Sequence, residues 1–327
     1  MIILGIDGGG TKTEFLMTDH CGKILAHFCS GGCRFHKDGV SGVLEMLRQA
    51  AGRLEEESGV SMTHIAYTVA GMPVVEENAR IHKEIMEGLQ ALFPGGVSLY
   101  GDAFTCLFGS LGGKNGINII AGTGSVCSGT DGKSYARCGG WSASLCDEGS
   151  CHWVARKTYE VFTKEADGRL EITPIYGLIR DYFGTNRDME IGGLFNKELY
   201  LNRDKMAGVQ TVTEQAFLQG DPHAARIYRQ AVEEICLMVE TVHRKLHFEG
   251  KAQVSYSGGL FRAKHVPELL GEVLDSDRFF LRSPCFTPVQ GSLLLAAKQC
   301  LDNGEYAQFL AMMAEHRDGG GEQNAEN

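Results

Sequence analysis

Long apolar runs are missing from this sequence of 327 residues. A helix that crosses a membrane needs about 18 or more consecutive apolar residues, and no stretch approaches that length. The first ten residues, MIILGIDGGG, hold a short apolar run with no basic residue before it, which is not the pattern of a secretory signal. We therefore expect no membrane association and a cytoplasmic location.

An excess of positive charge is also missing, since the formal net charge is -10. A broad grip on nucleic acid needs a basic face that displaces counterions from phosphates. We therefore expect no nucleic-acid partner. A small anionic ligand stays open, because backbone N–H groups can bind phosphate without side-chain charge.

Cysteine pairs of the Cys-x2-Cys type are absent, although the sequence holds eleven cysteines. Their odd number and scattered positions favour reduced thiols over a disulfide framework. The nearest approach to a metal cluster is Cys29, Cys33 and His36, and its spacing fits no standard zinc pattern.

The apolar pattern of the first third predicts alternating strands and helices. Hydrophobic residues make up 43% of the chain and charged residues 22%, which is typical of a globular protein. The predicted order is βββαβαβα. Strands are predicted at residues 2–6, 14–18, 23–28, 65–69 and 97–100, and helices at 40–58, 75–92 and 103–111.

The same order recurs in the second part of the chain, from residue 117, with a polar and helical insertion at about 166–220. We therefore predict an α/β protein with two domains that face each other over a cleft. The predicted domains are residues 1–115 and 116–300, followed by a C-terminal helix and a disordered tail within 301–327.

A glycine-rich turn, Asp7-Gly8-Gly9-Gly10-Thr11-Lys12-Thr13, follows the first predicted strand. The spacing misses a Walker A loop by one residue, because Thr11 intervenes between Gly10 and Lys12. A second strand follows, which predicts a β-hairpin whose glycines let backbone N–H groups approach a phosphate chain. Asp7 is the candidate for holding Mg²⁺ through water. An ordinary hairpin turn is the alternative.

Two further glycine turns end predicted strands in the second half. Gly122-Thr123-Gly124-Ser125 stands where the first turn stands in its own half, so the two turns could grip a nucleotide from both walls of a cleft. Ser257-Gly258-Gly259 precedes a helix and would suit the close approach of adenine and ribose. A plain tight turn is the alternative for each.

Two acidic positions could carry chemistry. Asp102 ends a predicted strand and begins a helix, where it is either a helix cap or the base that takes a proton from an attacking hydroxyl. Asp147 follows a glycine-flanked Trp141, a combination that is common in sugar sites. Capping of the following helix is the alternative for Asp147.

Taken in order, these motifs resemble those of the BadF/BadG/BcrA/BcrD-type ATPase family, and its N-acetylglucosamine kinase branch in particular. The resemblance covers about residues 1–300. It implies an actin-like (ribonuclease H-like) fold of two domains around a nucleotide cleft, the use of ATP with Mg²⁺, and phosphorylation of a sugar hydroxyl, usually at C6 of an amino sugar. It also implies a homodimer. The motifs that carry it are residues 7–13, 102, 122–125, 139–141, 147–150, 257–259 and 287–291.

The resemblance also implies roles for single residues. Asp102 matches the catalytic base, and Thr11 and Thr123 match the two phosphate contacts. The residues that match the remaining ATP-binding positions are Asp7, Gly9, Gly10, Lys12, Gly122, Gly124, Gly258 and Gly259, with Ala207 and Gly208 as a further nucleotide contact. The residues that match the sugar-binding stretch are Gly140, Trp141, Ser142 and Asp147.

The sugar pocket departs from the family pattern at Arg34, which stands where the family has an asparagine, and at Ser142 and Cys146, where it has glycines. An arginine there could favour an anionic sugar such as N-acetylmuramic acid. Alternatively, Arg34 points to solvent or pairs with a nearby carboxylate.

Four functions stay open on the sequence. The first is an N-acetylglucosamine kinase, and the second is a kinase for N-acetylmuramic acid or glucosamine. The third is an ATPase activator of an iron–sulfur dehydratase or reductase. The fourth is a sugar- or nucleotide-binding regulator without catalysis. The length of the chain and its Trp141 loop favour a kinase over an activator, and no helix-turn-helix region supports a repressor.

Overall fold

The structure is a computed structural model that describes residues 1–142, 145–199 and 202–319. The chain forms two compact units. The first unit contains Met1–Lys114 and Ser283–Asn327, and the second contains Asn115–Arg282. No helix of the described residues combines the length and apolar character that membrane crossing requires.

The elements are numbered in chain order. The strands are β1 (Ile2–Gly8), β2 (Lys12–Asp19), β3 (Ile24–Gly31), β4 (Ile65–Met72), β5 (Gly96–Gly101), β6 (Gly116–Ala121), β7 (Ser125–Thr130), β8 (Tyr135–Gly139), β9 (Ala252–Ser257) and β10 (Phe279–Leu281). The helices are α1 (Phe35–Ser58), α2 (Ala79–Leu92), α3 (Asp102–Ser110), α4 (Cys151–Ala166), α5 (Pro174–Phe183), α6 (Asp188–Glu198), α7 (Arg203–Gly208), α8 (Gln210–Leu218), α9 (Pro222–Lys245), α10 (His265–Val273), α11 (Pro288–Cys300) and α12 (Asn303–Gly319).

Each unit is built on a five-stranded mixed sheet of the same topology. The strand order is β3-β2-β1-β4-β5 in the first unit and β8-β7-β6-β9-β10 in the second. In both sheets an antiparallel meander of three strands is extended by two parallel strands. The predicted α/β class and the repeated βββαβαβα order are therefore confirmed.

Both faces of the first sheet are covered, because successive side chains of a strand point to opposite faces. Phe15 of β2 packs with Leu47 and Leu54 of α1, and its ring stacks on Phe28. Its neighbour Leu16 packs instead with apolar residues of α11 on the other face. Alternation along one strand thus gives the sheet a helix layer on each side.

Helix α11 completes the first unit, although it follows the second unit in the chain. Ile3 and Val69 of the sheet pack with Leu293 of α11, and Ser292 Oγ donates to the carbonyl oxygen of Ile6 at 2.9 Å. The prediction had placed residues 283–300 in the C-terminal domain on chain order alone. The physical reason for their place in the first unit is the apolar face that β1 and β4 present.

The second unit has a core of its own. Helix α9 is a long amphipathic helix whose apolar stripe, including Tyr228, Val232 and Val239, is fully buried. The predicted helical insertion forms α5, α6, α7 and α8, and its apolar residues Ile179 and Val212 join the same core.

Several predicted boundaries shift for local reasons. Helix α2 begins at Ala79 and not at 75, because the side chain of Asn78 accepts hydrogen bonds from the N–H groups of Arg80 and Ile81. Within 301–327, the predicted C-terminal helix is α12, which continues to Gly319. The rest of the predicted tail, from residue 320, lies outside the described residues.

Candidate functional site

The first glycine turn is a tight β-hairpin between β1 and β2. Gly8 pairs with Thr13 across the hairpin, and the N–H of Gly9 donates to the carbonyl oxygen of Lys12 at 2.8 Å. Gly10 and Thr11 lie at the exposed tip. The tip therefore offers backbone groups to solvent, which is the arrangement that backbone binding of phosphate requires.

The segment after β3 supports this hairpin from behind. The N–H of Cys33 donates to the carbonyl oxygen of Gly9 at 2.8 Å, and Cys33 Sγ lies 3.3 Å from Thr13 Oγ1. A Cβ atom on Gly32 would lie 2.2 Å from the carbonyl oxygen of Gly10. Because that distance is far below van der Waals contact, only glycine at position 32 lets the two segments touch.

Lys12 is directed along the sheet by an ion pair. Its Nζ lies 2.8 Å from Glu14, which also bonds His27 Nε2 at 2.9 Å. The hydrogen bond from His27 and the contact with Lys12 hold the pKa of Glu14 down at about 2. Lys12 thus has a carboxylate partner, and its predicted contact with phosphate stays a prediction.

Asp7 and Asp102 stand at the carboxyl ends of two parallel strands on either side of β4. Asp7 of β1 is in register with Gly71 of β4, and Asp102 directly follows β5. Burial of the Asp7 carboxyl, the negative charge of Asp102 and that of Glu14 raise the pKa of Asp7 to about 7. The structure therefore brings the predicted magnesium residue and the predicted base together in one unit.

Asp102 is the first residue of α3, and Gly101 takes the N-cap position. Asp102 Oδ1 accepts from the N–H of Ala103 at 2.9 Å, while Glu76 Oε1 accepts from the N–H of Gly101 at 3.1 Å. The alternative of a plain N-cap aspartate is wrong, because the cap position lies one residue earlier. A helix N-terminus favours a nearby negative charge.

The second glycine turn is a hairpin between β6 and β7. The N–H of Gly122 donates to the carbonyl oxygen of Gly124, and the N–H of Cys151 donates to the carbonyl oxygen of Gly122, both at 2.9 Å. Ser125 Oγ donates to the carbonyl oxygen of Glu148 at 2.6 Å. These bonds fix the hairpin to the start of α4.

The predicted adenosine turn lies beside this second hairpin. Strands β6 and β9 are parallel neighbours, so their carboxyl ends meet at one edge of the sheet. Gly258 has a φ of 103°, and a Cβ atom there would lie 2.4 Å from the carbonyl oxygen of Ala121. Gly258 and Gly259 are therefore adjacent to Gly122, as binding of one nucleotide by both turns would require.

Asp147 is buried beneath the second hairpin, with an exposed fraction of 2%. Its Oδ2 accepts from Arg203 Nη2 of α7 at 2.7 Å. Burial raises the pKa of the Asp147 carboxyl, and the charge of Arg203 opposes that rise. Capping of α4 by Asp147 is wrong, because Ser150 is the N-cap and its side chain accepts from the N–H of Trp153.

The Trp141 loop is exposed and carries unusual backbone angles. Trp141 is 75% exposed. Gly139, Gly140 and Ser142 have φ values of 80°, 73° and 112°. Ala143 and Ser144, which follow, lie outside the described residues. A large flat ring on such a loop is available to stack on a sugar face, because most of its surface is exposed.

Arg34 precedes α1 and forms an ion pair. Its Nε lies 3.0 Å from Asp38 Oδ2. A Gly39 with a φ of 65° follows Asp38 and interrupts the helical backbone. The pairing with a nearby carboxylate is one of the alternatives that the sequence left open.

The predicted site residues thus form two groups, one in each unit. Sequence reasoning missed Glu76, which bonds Gly101 beside Asp102, and Arg203 and Asp204, which bond Asp147 and Thr123. None of these three stands in a glycine turn or at the carboxyl end of a predicted strand, so no sequence signal marked them.

These features together define a class of protein. The chain is an actin-like α/β protein in which the βββαβαβα order occurs twice along the sequence, and each unit carries a glycine hairpin between its first two strands. The chain belongs to the BadF/BadG/BcrA/BcrD ATPase family, whose sequence profile matches residues 4–296.

Three similar proteins illustrate the likeness. The N-acetylmuramic acid/N-acetylglucosamine kinase of Clostridium acetobutylicum is 28% identical over 79% of this chain and 84% of its own. The glucosamine kinase GspK of Vibrio cholerae is 24% identical over 90% of this chain and 95% of its own. A crystal structure from Chromobacterium violaceum, provisionally named an N-acetylglucosamine kinase, superposes with a TM-score of 0.73 at 23% identity, covering 90% and 98% of the two chains.

Proposed function

We propose that this protein is an ATP-dependent kinase that phosphorylates a hydroxyl group, at C6, of an amino sugar such as N-acetylglucosamine. The observation that carries the proposal is the placement of Asp7 and Asp102 at the carboxyl ends of β1 and β5, on either side of β4, with the exposed Gly10–Thr11 tip directly after β1. It puts a candidate base next to a candidate phosphate site. The names of the two curated relatives agree with a sugar acceptor.

The residues fit a nucleotide by their donor chemistry. Gly10 is exposed and a Cβ atom there would meet nothing within 4 Å, so the hairpin tip is open to a ligand. Thr11 and Thr123 supply hydroxyl donors, and Gly258 and Gly259 leave room beside Gly122. We propose that these residues bind ATP.

Asp7 fits a magnesium ion that is held mainly by ATP and water. Among the described residues no group of three or more His, Cys, Asp or Glu is arranged to hold a metal. A single carboxylate suits Mg²⁺, which keeps several waters in nucleotide sites. Bound there, the ion would neutralise charge that develops on the phosphates, and its positive charge would return Asp7 to the ionised form.

Asp102 would act on the acceptor. Its carboxylate takes the proton of the sugar hydroxyl as the hydroxyl oxygen bonds to the γ-phosphorus. The bond from the γ-phosphorus to the bridging oxygen breaks, ADP leaves with that oxygen, and Asp102 later returns the proton to solvent. Trp141 would stack on the sugar, and Gly140 and Ser142 would line the same stretch, whereas Asp147 lies buried beneath the second hairpin against Arg203.

A panel of acceptors tests the proposal. Purified protein is incubated with γ-labelled ATP, Mg²⁺ and N-acetylglucosamine, glucosamine, N-acetylmuramic acid or glucose in turn. We expect transfer of label to at least one amino sugar and little to glucose. ATP binding without transfer to any sugar would favour a regulator, and bound iron would favour the activator of an iron–sulfur enzyme.

N-acetylmuramic acid is a second candidate substrate. The position of Arg34 and the name of the Clostridium relative favour it, while the ion pair of Arg34 with Asp38 restrains the guanidinium. We expect Arg34→Asn to lower kcat/KM for N-acetylmuramic acid relative to N-acetylglucosamine. Asp38→Asn, which keeps Arg34 and removes its partner, should change the ratio in the opposite direction. An unchanged ranking in Arg34→Asn would eliminate the anionic substrate. Cytoplasmic location and a homodimer stay predictions.

A further inference from the structure

A guanidinium group lies directly against the second hairpin. Arg203 begins α7, and its Nη2 bonds Asp147 Oδ2 at 2.7 Å. A Cβ atom on Gly124 would lie 3.2 Å from that same nitrogen. The side chain of Arg203 is 52% exposed and that of Asp147 only 3%. The carboxylate is therefore a buried anchor, and the cation faces solvent at the hairpin tip.

The backbone conformation of Asp147 and the position of its carboxylate both support this anchoring role. Its φ of 57° lies in the left-handed region, which an aspartate adopts only at some cost. Its Oδ2 would lie 2.7 Å from a Cβ atom on Gly124, so the carboxylate also occupies the space that a side chain at 124 would need. Gly124, the Asp147 carboxylate and the Arg203 guanidinium are therefore packed directly against one another.

Arg203 also supplies positive charge at this place. Burial and the nearby Arg203 lower the pKa of His152, the neighbouring basic residue on α4. A guanidinium presents five N–H donors in a planar fork, and the bond to Asp147 is made by Nη2.

Asp204, which follows Arg203, opposes the binding of a phosphate at this hairpin. Asp204 Oδ1 accepts from Thr123 Oγ1 at 3.1 Å. A hydroxyl has one proton, so Thr123 cannot donate to Asp204 and to a phosphate at the same time. A phosphate at the hairpin tip must therefore displace this bond, and the carboxylate repels it.

We propose that Arg203 is a nucleotide-binding residue whose guanidinium bonds the phosphates of ATP, and that Asp204 limits this binding by holding the Thr123 hydroxyl. This inference rests on the proposed use of ATP. The helical insertion of the second unit, which supplies both residues, then sets the affinity of the second hairpin for phosphates.

Calorimetric titration with adenosine, ADP and ATP tests the proposal. Removing a charge-assisted hydrogen bond weakens binding by about 10- to 100-fold, so we expect Arg203→Met to lose ADP and ATP affinity by that factor. Adenosine binding should be unchanged, because adenosine has no phosphate. Arg203→Lys should keep part of the affinity, and Asp204→Ala, which removes the acceptor of the Thr123 hydroxyl, should tighten ADP and ATP binding. Arg229→Met, on the exposed surface of α9, is the matched control.

The outcomes separate the inference from the proposed function. ADP binding by Arg203→Met that equals the wild type, or an equal loss of adenosine and ADP, overturns the role of Arg203. Because Arg203→Met leaves Asp147 buried without its partner, the double variant Arg203→Met/Asp147→Asn repeats the test without an unpaired charge. Unchanged binding in Asp204→Ala overturns the role of Asp204. Loss of ADP binding in a protein that phosphorylates no amino sugar would keep this inference and remove the kinase.

Discussion

Charged side chains in the first unit are held in different states by their surroundings. Partial burial of Asp7 and the negative charges of Asp102 and Glu14 raise the pKa of its carboxyl to about 7. Glu14 gains His27 and Lys12 as partners, and its pKa falls to about 2. Two carboxyls on adjacent strands thus differ in protonation near neutral pH, and the difference follows from contacts made only in the folded chain.

Because the pKa of Asp7 is raised, we expect the ionised Asp7 carboxylate to lower the free energy of unfolding of the protein at neutral pH. The folded chain binds the Asp7 proton up to about pH 7, but the unfolded chain only up to about pH 4. The folded state therefore holds more protons between these values, and stability falls as pH rises from 4 to 7. We expect Asp7→Asn to increase the free energy of unfolding at pH 8 by about 1–3 kcal/mol, a gain that fades towards pH 4.

Urea unfolding of the free protein at pH 8 and pH 4.5 measures this difference. The exposed Asp277 supplies the control, Asp277→Asn. Kinase activity of Asp7→Asn should fall although the protein is more stable. A gain that is equal at both pH values, or absent at pH 8, would contradict the burial of an ionised Asp7.

Asp102 carries the most direct catalytic prediction. Asp102→Asn keeps the shape of the side chain but cannot accept the hydroxyl proton. General bases contribute about 10²- to 10⁴-fold to reaction rates. We therefore expect kcat of Asp102→Asn to fall by at least about 100-fold. ATP and sugar affinities, measured by calorimetry, should change little. Near-normal turnover would remove Asp102 as the base.

At the scale of elements, the first hairpin depends on the loop that supports it. A Cβ atom on Gly32 would lie 2.2 Å from the carbonyl oxygen of Gly10, which is a severe clash. A Cβ atom on the adjacent Gly31 would lie 3.9 Å from Met46, which is an ordinary van der Waals contact. Overpacking costs about 1–3 kcal/mol, so Gly32→Ala should destabilise the protein by that amount and weaken ATP binding. Gly31→Ala is the matched control.

The tip of the hairpin allows a sharper comparison. Gly10→Ala places its methyl group in open space, so unfolding in urea should be unchanged. ATP binding should nevertheless weaken, because the methyl group occupies the approach of a phosphate. If both Gly10→Ala and Gly32→Ala bind ATP as the wild type does, the hairpin does not contact the nucleotide.

At the scale of the whole molecule, the first unit is assembled from both ends of the chain. Ile3, Leu16 and Val69 are covered by α11, which is encoded after the second unit. The N–H of Cys285 donates to the carbonyl oxygen of Ser110 at 2.8 Å, so the two parts of the first unit meet close to where the chain leaves and returns. The second unit, by contrast, is one continuous segment with its own core.

This assembly predicts how fragments behave. Residues 115–282 should fold alone, and residues 1–114 should not, because each exposed Ile or Leu forfeits about 1.5–3 kcal/mol of burial. Joining 1–114 to 283–319 with a short glycine-serine linker should restore folding. Circular dichroism and cooperative unfolding measure all three fragments. A stably folded 1–114 would show that α11 is dispensable.

The strands and the two glycine hairpins of this protein could be predicted from the sequence. The alternation of apolar residues predicts the strands, and the glycine turns after β1 and β6 mark both hairpins, because these signals depend only on near neighbours in the chain. Asp102 was found in the same way, since the end of a strand before a helix is a local feature. The topology follows from the order of these elements.

The remaining contacts could not be predicted in this way. The sequence could not show that α11 covers the first sheet, that Arg34 pairs with Asp38, or that Arg203 reaches the second hairpin. The last of these contacts joins residues that lie far apart in the chain, and its energy depends on burial, which Asp147 acquires only on folding. The order of elements gives the family and its chemistry, whereas the packing between distant segments sets the affinity and the protonation of the groups that perform it.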